Sequence, residues 1–183
     1  MQASPPVRFL IVLSMQENCA RSAGPARIEH FAPAYYLFKD AGADTVLASP
    51  CGGDASLAIA PGDGGGSDPD TIRFLADRHA RDDLADMLCI GQIVAEEFDA
   101  ALFVGFSGAI RRPDALGVAP LLAAMLDLGR PAAVVPGRGL QLAAGDAAES
   151  LLLVADHPQA ARLAAHALLT IVEMQRRIEP AGA

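Results

Sequence analysis

Residues 7–14, VRFLIVLS, constrain the fold more than any other stretch of this sequence. After Arg8 the run does not alternate between apolar and polar positions, as a strand with one wet face would. It reads as a parallel strand buried on both faces. A sheet of such strands needs helices above and below it, so the rest of the chain must supply them. The sequence does so in order. A helix is expected from Ile28, Phe31, Ala32, Tyr35 and Phe38 at helical spacing, stopped by Gly42, with Pro33 near its first turn. Residues 44–49 form the second strand, 71–88 a helix, and 99–105, DAALFVG, the third strand. Residues 117–128 form a helix, 131–135 the fourth strand, 151–154 the fifth and 158–177 a closing helix. Strands alternating with helices give an α/β fold, an open parallel sheet with helices on both faces.

With 183 residues, 52% of them hydrophobic, the chain is expected to form a single domain over 1–183 with its core at about 7–177. A formal net charge of −8 argues against nucleic acid and anionic membrane surfaces as partners. No apolar run is long enough to span a bilayer, and residues 1–6 lack the features of a signal peptide. The three cysteines, Cys19, Cys51 and Cys89, show no paired spacing. They do not read as a disulfide framework, and a cytoplasmic location is expected. Cys89, between Leu88 and Ile90, reads as a small buried residue. The four histidines lack metal-site spacing, and residues 62–66 lack the Lys-Ser/Thr ending of a phosphate loop. Neither a metal nor a cofactor is expected.

Residues 131–139, PAAVVPGRG, have the strand–turn pattern of a nucleophile elbow, where an α/β enzyme lifts one reactive side chain above its sheet. The residue in that place is Val135, which has no chemistry to offer. Pro136 follows and carries no backbone N–H.

Several stretches resemble the ThiJ/PfpI family of the class I glutamine amidotransferase-like, flavodoxin-like fold. The clearest is 35–53, YYLFKDAGADTVLASPCGG, similar to the family's helix, second strand and following turn. TIRFLAD at 71–77, AEEFDAALFVG at 95–105, the approach to the elbow at 130–134 and His157-Pro158 are also similar, the last to an Asn-Pro turn. The resemblance implies a homodimer and a three-part site. The cysteine nucleophile of the family aligns with Val135 and the His after it with Pro136. Its acidic residue, twelve before the glycine ending the first helix, aligns with His30. The adjacent Glu29 is one helical step away, a rotation of roughly 100 degrees. The oxyanion turn aligns with Gly105, Phe106, Ser107 and Gly108. The family's long insertion after the elbow is reduced to residues 140–150.

Loss of the thiol, the donor amide and the acid together implies a non-catalytic protein that binds a small molecule or a partner. The second reading is a hydrolase, deglycase or hydratase with a relocated nucleophile, Cys19 or Cys51, both expected in loops at the carboxyl ends of strands, with His30 as base. Ser107 with His30 or His157 is a weaker pairing without a G-x-S-x-G signature. Arg111, Arg112 and Arg138 follow strand ends, where with Ser107 and His157 they would suit a small anionic ligand. Each of these arginines also reads simply as surface charge on an acidic chain.

Overall fold

The computed structural model describes residues 5–14, 28–53, 68–108, 117–140, 151–155 and 160–178, with 107–108 and 136–140 described by backbone alone. Its strands are β1 Arg8–Leu13, β2 Asp44–Ser49, β3 Leu88–Cys89, β4 Ala100–Gly108, β5 Ala132–Leu140 and β6 Leu152–Val154. Its helices are α1 Ile28–Asp40, α2 Pro69–Ala76, α3 Arg78–Ala85, α4 Val118–Asp127 and α5 Ala161–Ile178. The strands make one sheet in the order β3-β2-β1-β4-β5-β6, and all its pairs are parallel. Setting aside the two-residue β3, this is the flavodoxin-like order. Chain direction across the sheet reverses between β1 and β4, so a crevice is expected there at the carboxyl ends.

Both faces are covered, as the apolar runs require. Phe9, Ile11, Leu13, Leu102, Val104, Ala133 and Val135 face a core shared with α1 and α5. Leu10, Val12, Ala101, Phe103, Ala132 and Val134 face a second core built on Val118, Leu122 and Met125 of α4. Phe9 stacks on Phe38 of α1 with ring centroids 3.9 Å apart, joining sheet to helix.

Where the elements differ from the sequence-based expectation, local chemistry explains why. Pro33 lies in the second turn of α1, not the first, and the helix continues past the missing amide because its neighbours Phe31, Ala32, Ala34 and Tyr35 are all buried. The helix expected over 71–88 is two helices. Asp77 ends α2 and caps α3, its carboxylate accepting from the amides of His79 at 2.9 Å and Ala80 at 3.3 Å. An Asp side chain so bonded favours non-helical backbone at its own position. Leu88 belongs to β3, so the sheet has six strands and not five. Strands β4 and β5 run to Gly108 and Leu140, past the turns expected at 105 and 135.

Asp77 also accepts from the Tyr36 hydroxyl at 3.0 Å, and the Arg73 guanidinium stacks 3.9 Å from the Tyr36 ring centroid. Arg73 donates twice to Asp40, at 2.7 and 2.8 Å. At the amino end of the sheet Asp99 Oδ2 accepts from the Arg8 amide and from Arg176 of α5, each at 2.8 Å. Arg176 donates further to the carbonyls of Pro5 and Pro6.

The Arg73 hydrogen bond holds the Asp40 carboxyl below its ordinary range. Partial burial pulls Asp77 the other way, but the Tyr36 hydroxyl and the two cap amides outweigh it and leave Asp77 lowered. Both carboxyls are more acidic folded than unfolded. The stability they contribute is therefore complete above about pH 4, where unfolded Asp is ionised, and is lost as pH falls through their depressed folded values. Asp77→Ala should cost about 1–2 kcal/mol at pH 7 in urea titrations. The difference from wild type should shrink steadily between about pH 4 and pH 2. An equal difference at both ends of that range would show that the charge on Asp77 is not what stabilises.

Candidate functional site

At the carboxyl end of the sheet the described residues include the ends of β1, β4 and β5. Ser14, just past β1, is buried, and its amide donates to the Val104 carbonyl at 2.9 Å. That bond keeps β1 and β4 together up to the point where the chain leaves the sheet. Ser49 closes β2 in the same way, buried and donating its hydroxyl to the Gly52 carbonyl at 2.8 Å. A polar residue ending an apolar run marks both positions in the sequence, but only the fold shows that their hydroxyls are buried.

His30 lies in the first turn of α1 with its side chain 14% exposed, and its Nε2 stands 3.6 Å from Oε1 of Glu29. The rotation between neighbours on a helix was expected to separate these two groups. Their side chains are long enough to meet regardless, so a carboxylate does accompany the imidazole.

The β4–β5 ladder decides the shape of the elbow region. Val104 pairs with Val135, Phe106 with Pro136 and Gly108 with Leu140. Between the first two pairs β4 carries one extra residue, Gly105, at φ 85°, a bulge that favours glycine. Pairing resumes at Phe106 and Pro136 and shifts register once more before Gly108 and Leu140, so Val135 lies inside β5 and not at its end. Its side chain is 0% exposed and faces the core shared with α1 and α5. Pro136 is tolerated because β6 pairs only with Ala132, Ala133 and Val134 and does not reach it. Phe106 is 6% exposed and packs edge-on to Phe103 in the α4-side core, with 6.3 Å between ring centroids.

Ser107 lies on β4 and Arg138 on β5, at the carboxyl ends as expected from the sequence. Cys19, Arg111, Arg112 and His157 lie outside the described residues. Cys51 follows β2 and is disulfide-bonded. The spacing of cysteines along the chain suggested no disulfide, but spacing does not report which sulfurs a fold brings together; only distance and geometry do. A sulfur in this oxidised state carries no thiolate to act as nucleophile. Cys89 is a free thiol on the two-residue edge strand β3, partly exposed and not buried as expected, because the edge leaves one side of it uncovered. Among the described residues no group of three or more His, Cys, Asp or Glu is placed to hold a metal ion. Among them, too, no helix is long and apolar enough to cross a membrane.

No protein-family model matches the chain, and comparison with curated proteins finds no match. Solved structures do match it. The 24 kDa rapid encystment protein of Francisella tularensis superposes with a TM-score of 0.67 at 13% identity, over 91% of this chain and 99% of that one. Glyoxalase III from Candida albicans gives 0.59 at 10% identity, over 90% and 96%. A ThiJ/PfpI domain protein from Brachyspira murdochii gives 0.55 at 15% identity, over 93% and 99%. At these identities the likeness is one of fold: the chain has the ThiJ/PfpI-like α/β fold.

The burial of Val135 has a direct consequence. In a Val135→Cys variant the new thiol should react with N-ethylmaleimide at least about tenfold more slowly than Cys89, because reaction requires an exposed thiolate. Peptide mass spectrometry on a time course reads both rates. Equal rates would mean that position 135 opens to solvent as an elbow does.

Proposed function

We propose that this ThiJ/PfpI-like protein is a non-catalytic module that binds a small anionic molecule or a partner. The observation that carries the reading is the pairing of Val135 with Val104 inside the β4–β5 ladder, which buries a side chain without reactive atoms at the position where the family resemblance puts a nucleophile. Two further departures support it. Pro136 lacks the amide expected to stabilise an oxyanion, a donor whose loss typically costs about 100- to 1,000-fold in rate. The position aligned with the family acid holds His30.

The ligand is assigned to the carboxyl ends of the strands, with Ser107, Arg111, Arg138 and His157 as its recognition groups. Arginine forks suit a carboxylate or phosphate. A cytoplasmic setting belongs to the same reading; there a disulfide at Cys51 is a transient state. The second reading, an enzyme of the hydrolase, deglycase or hydratase type with Cys19 or Cys51 as nucleophile, keeps one observation in its favour: Glu29 beside His30 forms a carboxylate–imidazole pair in the first turn of α1.

Turnover of 2-oxoaldehydes and aryl esters by the reduced protein separates the two readings. The non-catalytic reading expects rates at the buffer background for wild type, Cys19→Ala and Cys51→Ala alike. It also expects no recovery in Val135→Cys alone, since groups that act as a unit give little singly. Wild-type turnover abolished by either alanine variant establishes the enzyme reading instead. In parallel, small carboxylates and inorganic phosphate should raise the melting temperature of wild type, and Arg138→Ala should remove that rise.

We also propose a homodimer. Leu163, Met174 and Ile178 on α5 are exposed, Leu163 by 70% and Ile178 by 78%, and their spacing puts them along one side of the helix. Light scattering across micromolar concentrations should return twice the chain mass, and Leu163→Glu with Ile178→Glu should return the monomer. A monomeric mass for wild type throughout that range excludes the dimer.

A further inference from the structure

Two cysteines share one corner of the sheet. Strand β2 pairs with β3 through Ala48↔Leu88 and Ser49↔Cys89. Past Ser49 the chain folds back on itself: the Gly52 amide donates to the Ser49 carbonyl at 3.4 Å, and the Ser49 hydroxyl donates to the Gly52 carbonyl at 2.8 Å. This turn lies against Cys89. The Cys89 thiol donates to the Pro50 carbonyl at 3.2 Å, and a Cβ built on Gly52 would stand 3.6 Å from Cys89 Cβ. The residue between Pro50 and Gly52 is Cys51. Because the Pro50 carbonyl and Cys51 Cα share one peptide plane, Cys51 Cα lies within about 6 Å of Cys89 Sγ. A bridge between two cysteines needs Cα atoms about 4.4–6.8 Å apart, a range within reach of this arrangement.

The two sulfurs differ in oxidation state, for Cys51 is disulfide-bonded and Cys89 is a free thiol. The Cys89 backbone is held by its amide, which donates to Gln92 Oε1 at 3.1 Å, so rotation of the side chain is the main freedom left to it. We propose that Cys51 and Cys89 form a thiol–disulfide exchange site. Cys89 gives its thiol proton to solvent, which releases the Pro50 carbonyl, and the thiolate attacks Sγ of Cys51. A Cys51–Cys89 bond forms, the bond from Cys51 to its present partner breaks, and the departing sulfur leaves as a thiolate and takes up a proton. One disulfide is lost and one is gained, so no oxidant is consumed. The exchange fastens the turn after β2 to the edge strand β3 and frees whatever that turn was joined to.

The test uses the full, non-reduced chain at pH 8.5 with oxygen excluded and a chelator present. Samples are quenched in acid at intervals, alkylated with N-ethylmaleimide, digested without reduction and read by mass spectrometry. The label should begin on Cys89 and shift with time to Cys19 as Cys51–Cys89 linked peptides appear. In Cys89→Ser the Cys51 linkage should stay fixed. Four results would each overturn the proposal: a label that remains on Cys89 overnight, Cys51 found as a free thiol in the non-reduced protein, linkage that forms in urea but not in native buffer, or a rate that rises with protein concentration.

Discussion

The parallel hydrogen-bond ladder between β4 and β5 is the constraint on which the rest of this molecule depends. Both strands lie in the middle of the sheet and both are buried on two faces, so their amides and carbonyls have no water to turn to. Once paired, they continue to pair for as long as the sequence allows. Gly105 absorbs the one-residue mismatch that would otherwise end the ladder. Before it, side chains alternate between the two cores, Ala132 and Val134 toward α4 and Ala133 and Val135 toward α1 and α5. The burial of Val135 follows from this backbone pairing.

The sheet was largely legible in the sequence because buried parallel strands leave a compositional trace: uninterrupted β-branched and aromatic residues between turn signals. Residues 44–49 match β2 throughout, and 7–14 bracket β1. Short-range polar chemistry was harder to read. Asp77 looks like any surface residue of a helical stretch, and its second carboxylate oxygen accepts from the hydroxyl of Tyr36, forty-one positions earlier. Leu88 is a strand residue only because β2 is there to pair with it. The ends of β4 and β5 are hidden in the sequence for a related reason. Glycine and proline signal turns, but a bulge and a place beyond the reach of β6 accommodate them within strands.

For the site, the sequence shows Val135, Pro136 and His30 at the positions where the family resemblance implies a nucleophile, a donor amide and an acid. It did not identify what surrounds them. The contact between Glu29 and His30, the buried hydroxyls of Ser14 and Ser49, and the nearness of the Pro50–Gly52 turn to Cys89 all arise from elements distant in sequence or from side-chain reach. Among the described residues, charge gathers at the amino end of the sheet. The amino end gathers Arg8, Asp44, Glu97, Asp99, Arg130 and Arg176 into ion pairs. Mutual pairing there leaves little field to attract a ligand, which is one physical reason to look to the other end.

Arg176 ties α5 to the segment that leads into β1. The core face that carries Phe9, Ile11 and Leu102 is completed by Ala161, Ala165, Leu168 and Val172 of α5. A ribosome synthesising this chain delivers β1 early and α5 late. From the completion of β5 until α5 clears the exit tunnel, that face of the nascent sheet is open on one flank, for a few seconds at roughly 5–20 residues per second. The guanidinium of Arg176, arriving near the end of α5, then closes the assembly by meeting Asp99 and the carbonyls of Pro5 and Pro6. Slowing translation within the codons for α5 would lengthen the interval in which chaperones must shield the unfinished protein.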